Sequence, residues 1–469
     1  MNEIHRMDAA ALADAYRTKR LSPVEVLAAA LARAEKVQPK LNPFSAFAPE
    51  TAKAAAHEAE ARWMKGEAKG PLDGVPLAIK ENHGAKDLPK RSGSLTRDPV
   101  TDAEDQPHIA RLREAGAVIF ARTTMPDLGW KGVNDSPFTG VTRNPWNPAL
   151  TPGGSSGGAA VAVATGVCPI ATGGDGGGSI RMPAGFTGVF GIKPTSFRVP
   201  GLYDSPAGDL VAPGPLSRTV ADSAAVLAAM IRPDARDPAA SALPSVDYPS
   251  LLGAGVAGLR VAISATLGFT RRPDAVRTAS LEGAARALEA AGATVTWADP
   301  PLWNARAAFA TIWEAAYASA VMTTPAERLK LFDPGLLDVG RRGLATSAVA
   351  EKLAQLERHR LMHAMIAFHR SHDLLVCPTL PIAAFEAGHG VNTPDAMLYP
   401  EWYDWTPYTW TFNLTKQPCS SVPWGFDAAG LPVGVQVVAT HMREDLVLRG
   451  SAVLEAAMPP VMPEDARWA

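Results

Sequence analysis

Two short segments combine serine hydroxyls with a glycine-rich backbone. Residues 153–158 hold Ser155 and Ser156 at their centre, and residues 176–181 contain Ser179. Because glycine has no side chain to obstruct an approaching group, several N–H groups of such a loop can point at one atom and hold an anion or a developing oxyanion. Each segment is therefore a candidate site for nucleophilic catalysis. A tight turn packed against a helix is the structural alternative.

Neither segment matches a nucleotide-binding loop. A phosphate loop needs Gly-Lys followed by Ser or Thr, and a dinucleotide fingerprint reads G-x-G-x-x-G; both are absent from the two stretches. The pattern G-x-S-x-G of a nucleophile elbow does occur, at 153–157 and at 154–158. An elbow follows a strand, however, and residues 144–152 contain three prolines, which remove backbone donors that a central strand needs. The sequence therefore disfavours an elbow.

A serine nucleophile needs a base, because its neutral hydroxyl attacks weakly at pH 7. Lys80 ends the apolar run 75–79, where burial would penalise its ammonium form and lower its pKa. A neutral lysine in that place can accept a proton. An ordinary lysine at a strand end is the alternative.

Four segments resemble the amidase signature family in order and spacing. They are GVPLAIKEN at 74–82, RNPW at 143–146, PGGSSGG at 152–158 and GDGGGSIRMPA at 174–184. Further similar stretches lie at 115–119, 191–195, 373–378 and 430–436, so that the resemblance covers most of the chain and is weakest over about 232–408. It implies an amidohydrolase.

The resemblance also implies a catalytic triad. The positions that match the family's nucleophile, bridging serine and base are Ser179, Ser155 and Lys80, with a cis peptide bond before Ser155. Neutral Lys80 would draw a proton from Ser155, which takes it from Ser179 as that hydroxyl attacks the substrate carbonyl. The expected oxyanion hole consists of the N–H groups of Gly176, Gly177, Gly178 and Ser179.

Supporting roles follow from the same resemblance. Ser156 is expected to form hydrogen bonds within the site, and Asp175 with Arg181 to form a pair that braces the nucleophile loop. The chain departs from the family at Gly174 and Gly176, where Ser or Thr is common. These glycines predict a loop with fewer hydroxyls and more flexibility.

Several features concern the substrate. The resemblance places Gly129 and Trp130, together with Ser155, at the substrate. A crowded aromatic stretch further along the chain indicates a bulky or aromatic ligand, with core packing or an interface between protomers as an equal alternative. It comprises Tyr399, Trp402, Tyr403, Trp405, Tyr408, Trp410 and Phe412.

The four histidines between residues 359 and 372 do not indicate a metal site. His359 and His363 lie four residues apart in a predicted helix, but Arg360 stands where the HExxH motif requires glutamate. His369 and His372 follow. A solvated helix face is the expectation, and neither a metal nor any other cofactor is implied.

The remaining pattern predicts the elements that position these residues. Residues 8–69 are Ala-rich with helical spacing, and Ser22 before Pro23 is typical of a capped helix start. From residue 74 onward short apolar runs alternate with helix-like stretches. Strands are predicted at 75–79, 117–121, 259–263, 294–297, 373–377 and 433–438, and helices at 108–115, 275–291, 305–323 and 347–369. The small-residue run 159–164 indicates close packing, and 232–252 a surface connection.

These elements and the resemblance predict an α/β fold, with a mixed, mostly parallel β-sheet sandwiched by helices in one domain over 1–469. Within it we expect a helical N-terminal layer (1–70), a catalytic core (71–230), a variable substrate-side region (231–410) and a C-terminal part of the core (411–469). The 40 glycines and 41 prolines indicate many ordered turns.

Net charge and cysteine content limit the classes of partner and of metal or disulfide site that the sequence allows. The net charge is −2 and there is no long basic stripe, so direct nucleic-acid binding is not expected. Three separated cysteines without a CxxC pair fit neither a disulfide framework nor a zinc site. Without a signal-type segment or an apolar run of about 18 residues, a cytoplasmic enzyme without membrane contact is expected. The sequence leaves a homodimer open.

Three functions remain open. The first is an amidohydrolase that acts on a carboxylic amide, anilide, ester or carbamate. The second is a glutamine-hydrolysing component of a transfer-RNA-dependent amidotransferase, which needs polar anchors for the ammonium and carboxylate of glutamine; Arg358 could be one. The third is a binding protein that uses the glycine loops to hold an anion. The aromatic stretch favours the first.

Overall fold

The computed structural model describes residues 4–201, 205–388 and 393–468, and eleven strands form its main sheet. The strands follow, with β4 and β5 forming a separate two-stranded sheet. They are β1 (Phe44–Phe47), β2 (Pro76–Lys80), β3 (Val118–Thr123), β4 (Asp135–Ser136), β5 (Gly140–Val141), β6 (Ile170–Asp175), β7 (Phe190–Lys193), β8 (Ala212–Ser217), β9 (Arg260–Ile263), β10 (Thr294–Trp297), β11 (Leu374–Pro378), β12 (Cys419–Phe426) and β13 (Pro432–Ala439).

Helices cover both faces of this sheet. They are α1 (Ala9–Arg17), α2 (Pro23–Leu41), α3 (Pro49–Lys65), α4 (Pro107–Glu114), α5 (Gly157–Ala164), α6 (Arg181–Thr187), α7 (Val220–Met230), α8 (Pro238–Ser241), α9 (Tyr248–Leu251), α10 (Ala275–Ala290), α11 (Arg306–Thr323), α12 (Pro334–Gly343), α13 (Ala348–Phe368), α14 (Pro407–Leu414) and α15 (Glu444–Ala457). Within the described ranges, no helix is both long and apolar enough to cross a membrane.

The sheet separates distinct apolar cores. In β2, Leu77 and Ile79 pack into one core and Ala78 into another, because successive side chains of a strand point to opposite faces. This explains why the strand reads as an unbroken apolar run instead of an alternating one. The arrangement confirms the expected α/β fold in one domain.

Two parallel runs lie on either side of an antiparallel middle. In strand order β1-β3-β2-β6-β8-β7-β12-β13-β11-β9-β10, the runs β3-β2-β6 and β11-β9-β10 are parallel. The pairs from β6 to β11 are antiparallel, as is the edge pair β1-β3. The parallel strands therefore form two separate groups. Lys80 and Asp175 end two strands of the first group.

The predicted strands are confirmed as β2, β3, β9, β10, β11 and β13, and the predicted helices as α4, α10, α11 and α13, with shifts of one or two residues. Ser22 caps α2, accepting from the N–H of Glu25. The N-terminal layer also contains β1, which pairs with β3. The segment 232–252 is not merely a surface connection, because Tyr248 is buried against the core.

Strand β8 was not apparent from the sequence. It contains Pro213 and Pro215, which normally argue against a strand inside a sheet. One edge of β8 pairs with β6 along its whole length, whereas β7 on the other edge pairs only with Leu216 and Ser217. Because most of that second edge is unpaired, β8 can contain prolines, which have no N–H to donate.

Candidate active site

The amino group of Lys80 is buried, and its hydrogen-bond partners are uncharged oxygen atoms. Its side chain ends β2, is 2 % exposed, and donates from Nζ to Ser155 Oγ at 2.7 Å and to the carbonyl of Gly174 at 3.0 Å. Burial lowers the pKa of Lys80 to about 7, although the negative charge of Asp175 acts in the opposite direction. A substantial fraction of Lys80 is therefore neutral near pH 7 and able to accept a proton.

The loop before α5 holds Ser155 against this lysine. The peptide bond between Gly154 and Ser155 is cis, as the family resemblance implies. Gly154 packs directly on the backbone of Val133, where any Cβ would come within 2.4 Å of a carbonyl oxygen. The next residue, Ser156, donates its N–H to the carbonyl of Ser179 at 3.0 Å, so that the two serine loops are joined.

Ser179 lines the same small cavity as Lys80 and Ser155. It is 4 % exposed and lies in the turn between β6 and α6. The cavity has a volume of about 20 Å³, which is room for roughly one water molecule. The structure thus brings the three residues of the expected triad together at one place. No strand leads into residue 153, in agreement with the argument against a nucleophile elbow.

Three of the four expected oxyanion donors are available. The N–H groups of Gly176, Gly177 and Ser179 donate to no atom of the described residues. Gly178 differs from the expectation, because its N–H donates to Asp175 Oδ1 at 2.7 Å and is not free for a substrate oxygen. The carboxylate of Asp175 therefore shapes the loop by holding this one amide.

Asp175 and Arg181 form a fully buried ion pair. Neither side chain is exposed, and Arg181 Nη2 lies 2.9 Å from Asp175 Oδ1. Burial opposes ionisation of the carboxyl, but the attraction of Arg181 outweighs it and holds the pKa of Asp175 below its usual value. Arg181 also donates to Asn413 Oδ1 and Gln436 Oε1, and thereby ties the loop to α14 and β13. Ser156 Oγ accepts from the N–H of Gly174 at 3.3 Å.

Gly174 and Gly176, the two positions where the family commonly has Ser or Thr, have different surroundings. A Cβ at Gly174 would meet its nearest neighbours at 3.7 Å, which is ordinary contact. A Cβ at Gly176 would lie 3.1 Å from Val211 Cγ2 and 3.4 Å from Trp313. Larger side chains from outside the loop therefore fill the space at Gly176. Gly174 has no such close neighbour, and the expected flexibility of the loop stays a prediction.

The cavity walls come from several remote elements. Gly129 is among them, with φ at +74°, and a Cβ there would approach Ser155 Oγ to 3.3 Å. Trp130 does not line the cavity, because its buried ring packs on Gly335. Its carbonyl accepts a hydrogen bond of 3.1 Å from Trp313 Nε1. The described residues that line the cavity besides the triad and glycines are Asn82, Met125, Leu128, Ser205, Ala207, Val211, Trp313 and Tyr317.

Arg358 is hydrogen-bonded to residues outside the cavity. Its guanidinium forms two hydrogen bonds with Asp209, at 2.9 and 3.0 Å, and a third with the carbonyl of Leu414. It does not line the cavity. The expectation that it could anchor a substrate carboxylate is therefore not supported by the geometry. His359 and His363 lie on α13 as predicted, and no group of three metal-ligating side chains occurs in the described part of the chain.

The aromatic stretch from Tyr399 is mainly core. Six of its seven rings are buried, and Trp402 packs on Gly177, where a Cβ would lie 2.6 Å from the indole. Thr409 donates its hydroxyl to the carbonyl of Gly177 at 2.8 Å. Trp402 and Thr409 therefore support the glycine loop through their contacts with Gly177.

Sequence reasoning missed the residues that complete the site from α11 and α14. Trp313 and Tyr317 lie in a helix that the sequence predicted, but nothing in its periodicity showed which residues face the cavity. Asn413 likewise carried no signal. Gln436 lies in one of the stretches that resemble the family, and this was the available clue.

Comparisons with known proteins place this site in a family. The family model named Amidase matches residues 25–448. The chain is 33 % identical to an acylamidase of Rhodococcus erythropolis over 461 residues, covering 97 % of this chain and 96 % of that protein. It is 34 % identical to one of the subunits of the glutamyl-tRNA(Gln) amidotransferase of a Synechococcus strain (WH7803), covering 91 % and 92 %.

Solved structures agree with these matches. A bacterial aryl acylamidase superposes with a TM-score of 0.88 at 27 % identity, over 99 % of this chain and 98 % of that one. A 6-aminohexanoate cyclic dimer hydrolase, complexed with its substrate, superposes with a TM-score of 0.87 at 28 % identity, over 98 % and 99 %. The matched proteins include amidases, which act on C–N amide bonds. The chain therefore belongs to the amidase signature family of hydrolases.

Proposed function

We propose that this protein hydrolyses a carboxylic amide through an acyl-enzyme on Ser179. Neutral Lys80 accepts a proton from Ser155, which takes the proton of Ser179 as its Oγ attacks the amide carbon. The N–H groups of Gly176, Gly177 and Ser179 then face the negative oxygen of the tetrahedral intermediate. When the C–N bond breaks, Lys80 returns the proton through Ser155 to the leaving amine.

The second half of the reaction uses the same groups. Water replaces the amine, loses its proton through Ser155 to Lys80, and attacks the ester carbon of the acyl-enzyme. The carboxylic acid leaves as Ser179 regains its proton. Each cycle thus consumes one amide and one water, and returns all three residues to their starting states.

The contact between Lys80 and Ser155 carries this proposal. The 2.7 Å hydrogen bond joins a hydroxyl to a buried lysine whose pKa is lowered to about 7. A purely structural lysine would be expected to pair with a carboxylate, whereas the partners of Nζ here are a hydroxyl and a carbonyl oxygen.

The cavity walls favour an apolar or aromatic acyl group. Met125, Leu128, Val211, Trp313 and Tyr317 surround the triad, and Lys80 is the one charged side chain among the described lining residues. Together with the similarity to an acylamidase and to an aryl acylamidase, this makes aryl amides our first choice of substrate, with aryl esters and carbamates as related candidates. Because the cavity holds only about 20 Å³, its walls must move apart to admit an aryl group.

A glutamine amidotransferase is the second candidate, favoured by the similarity to the amidotransferase of Synechococcus. Free glutamine carries an ammonium and a carboxylate, and Arg358 is already bound to Asp209. We expect release of the aromatic amine from an anilide and no release of ammonia from glutamine. Ammonia production from glutamine, or partner proteins that purify with the chain, would reverse this order.

Intact-mass spectrometry tests the mechanism. A serine-reactive fluorophosphonate should add once to the wild-type protein, and peptide mapping should place the adduct on Ser179. Ser179→Ala should give no adduct, and Lys80→Met should slow labelling by about 10³-fold, within the range for general-base catalysis.

The matched control is Ser319→Ala, which removes an exposed hydroxyl on α11 and should label like the wild type. An adduct that persists in Ser179→Ala, or the absence of any adduct in the wild type, would contradict the proposed nucleophile.

A further inference from the structure

A second and larger cavity lies at the carboxyl ends of the other parallel run. It has a volume of about 490 Å³. Thr270 follows β9, Asn304 follows β10 and Pro381 follows β11, and all three residues line it. Ligands of open α/β sheets bind in crevices at the carboxyl ends of strands, and pockets for small molecules have about this size.

The floor of this cavity presents aromatic carbon surface. Phe269 and Tyr399 supply its partly exposed aromatic surface, and the rings of Tyr403, Tyr408 and Trp410 also line it but are each 2 % exposed or less. Their polar atoms are already bonded within the protein: Trp410 Nε1 donates to the carbonyl of Tyr403 at 2.8 Å, and the Tyr408 hydroxyl to that of Ala265 at 2.6 Å. The Tyr403 hydroxyl lies 3.3 Å from a carboxylate oxygen of Glu314. A flat apolar ring is the group that such a floor accommodates.

The rim carries positive charge. Arg271 is exposed, and its guanidinium has no hydrogen bond or ion pair with the described residues. Arg306 is paired with Asp404 through Nε and Nη2, so that the two charges compensate each other. Helices α11 and α14 both begin at this cavity, and Asn304 Oδ1 accepts from the first N–H of α11, that of Arg306, at 3.0 Å. Helix N-termini carry partial positive charge, which adds to that of Arg271.

We propose that this cavity binds an aromatic carboxylate, with the ring on the floor and the carboxylate at Arg271. The site is separate from the triad, because the two cavities share no lining residue in the described part of the chain. The wall between them consists of stacked rings. Trp410 stacks on Phe309 at a centroid distance of 5.3 Å, and Phe309 on Trp313 at 5.4 Å.

Calorimetric titration of the full chain with 4-benzoylbenzoate tests the binding. We expect saturable binding of one equivalent to the wild type, and a loss of affinity of about tenfold or more in Arg271→Met, because the variant removes a charge-assisted hydrogen bond. Neutral benzophenone should bind the wild type as weakly as the acid binds that variant.

The matched control is Arg272→Met, which changes an adjacent exposed arginine that does not line the cavity, and its affinity should equal that of the wild type. Equal weakening in both variants would show only general charge attraction and would overturn the proposal. Absence of binding to the wild type, or full affinity in Arg271→Met, would do so as well.

Photochemical cross-linking with the same probe locates the site without depending on catalysis. Irradiation of the complex should attach 4-benzoylbenzoate to peptides that contain residues 269–271 or 398–410. Attachment to residues 125–129 or 313–317 would place the ligand in the triad cavity and would contradict a second site. Because Ser179→Ala leaves the second cavity intact, its cross-links should match those of the wild type.

Discussion

The two parallel runs of the sheet end in very different surroundings. At the carboxyl ends of β3-β2-β6, Lys80 and Asp175 are both buried, and the space between the loops holds about 20 Å³. At the carboxyl ends of β11-β9-β10, the cavity holds about 490 Å³ and Arg271 is exposed to solvent. One sheet therefore carries a closed candidate site and an open one.

The difference agrees with what the proposed role of each site requires of its charged groups. Lowering the pKa of Lys80 requires removal of water, since water stabilises the ammonium form. Removal of water in turn requires that every other charge nearby has a partner, and Asp175 has Arg181. An open cavity has no such requirement, because solvent screens its arginines.

The largest effect is expected from a substitution that breaks the buried ion pair of the closed site. Asp175→Asn leaves the buried Arg181 guanidinium without a counter-charge, and we expect a loss of about 3–5 kcal/mol in the free energy of unfolding. The matched variant, Asp373→Asn, breaks the partly exposed pair with Arg260 at the start of β9 and should cost far less. Urea unfolding of both variants measures this. Equal losses would contradict the distinction between the two regions.

The next effect is the pH dependence of the closed site. With the pKa of Lys80 lowered to about 7, the neutral base is lost as the pH falls below that value. We expect kcat/KM to fall by about tenfold per pH unit below 7 and to level off above it. The residual activity of Lys80→Met should lack this inflection. A wild-type profile without an inflection between about pH 6 and 8 would show that Lys80 is not the titrating base.

The smallest effect compares two glycines of the same loop. Gly176→Ala places a methyl group 3.1 Å from Val211 and should displace the oxyanion donors, lowering kcat/KM by about tenfold. Gly174→Ala meets its neighbours only at 3.7 Å and should stay within about twofold of the wild type. Steady-state kinetics on an aryl ester compares the two. Similar losses in both would mean that backbone freedom, and not packing, sets the loop geometry.

Much of the fold was predictable because its signals are local. Apolar runs such as 75–79 and the Ser22 cap depend on a few neighbouring residues, and the structure confirms both. Strand β8 was not predictable, since its prolines are tolerated only because β7 pairs with a small part of it. A single sequence does not reveal which edge of a strand is left unpaired.

The candidate site divides in the same way. The order and spacing of Lys80, Ser155 and Ser179 are properties of the sequence, and the resemblance of these segments to the amidase signature family selected them as the expected triad. Their environment was decided by tertiary structure: Trp313 reaches the cavity from α11, Trp130 turns to Gly335, and Gly178 gives its N–H to Asp175. Side-chain direction, burial and the lowered pKa of Lys80 arise from packing between segments far apart in the chain, and such contacts exist only once the sheet and its helices have assembled.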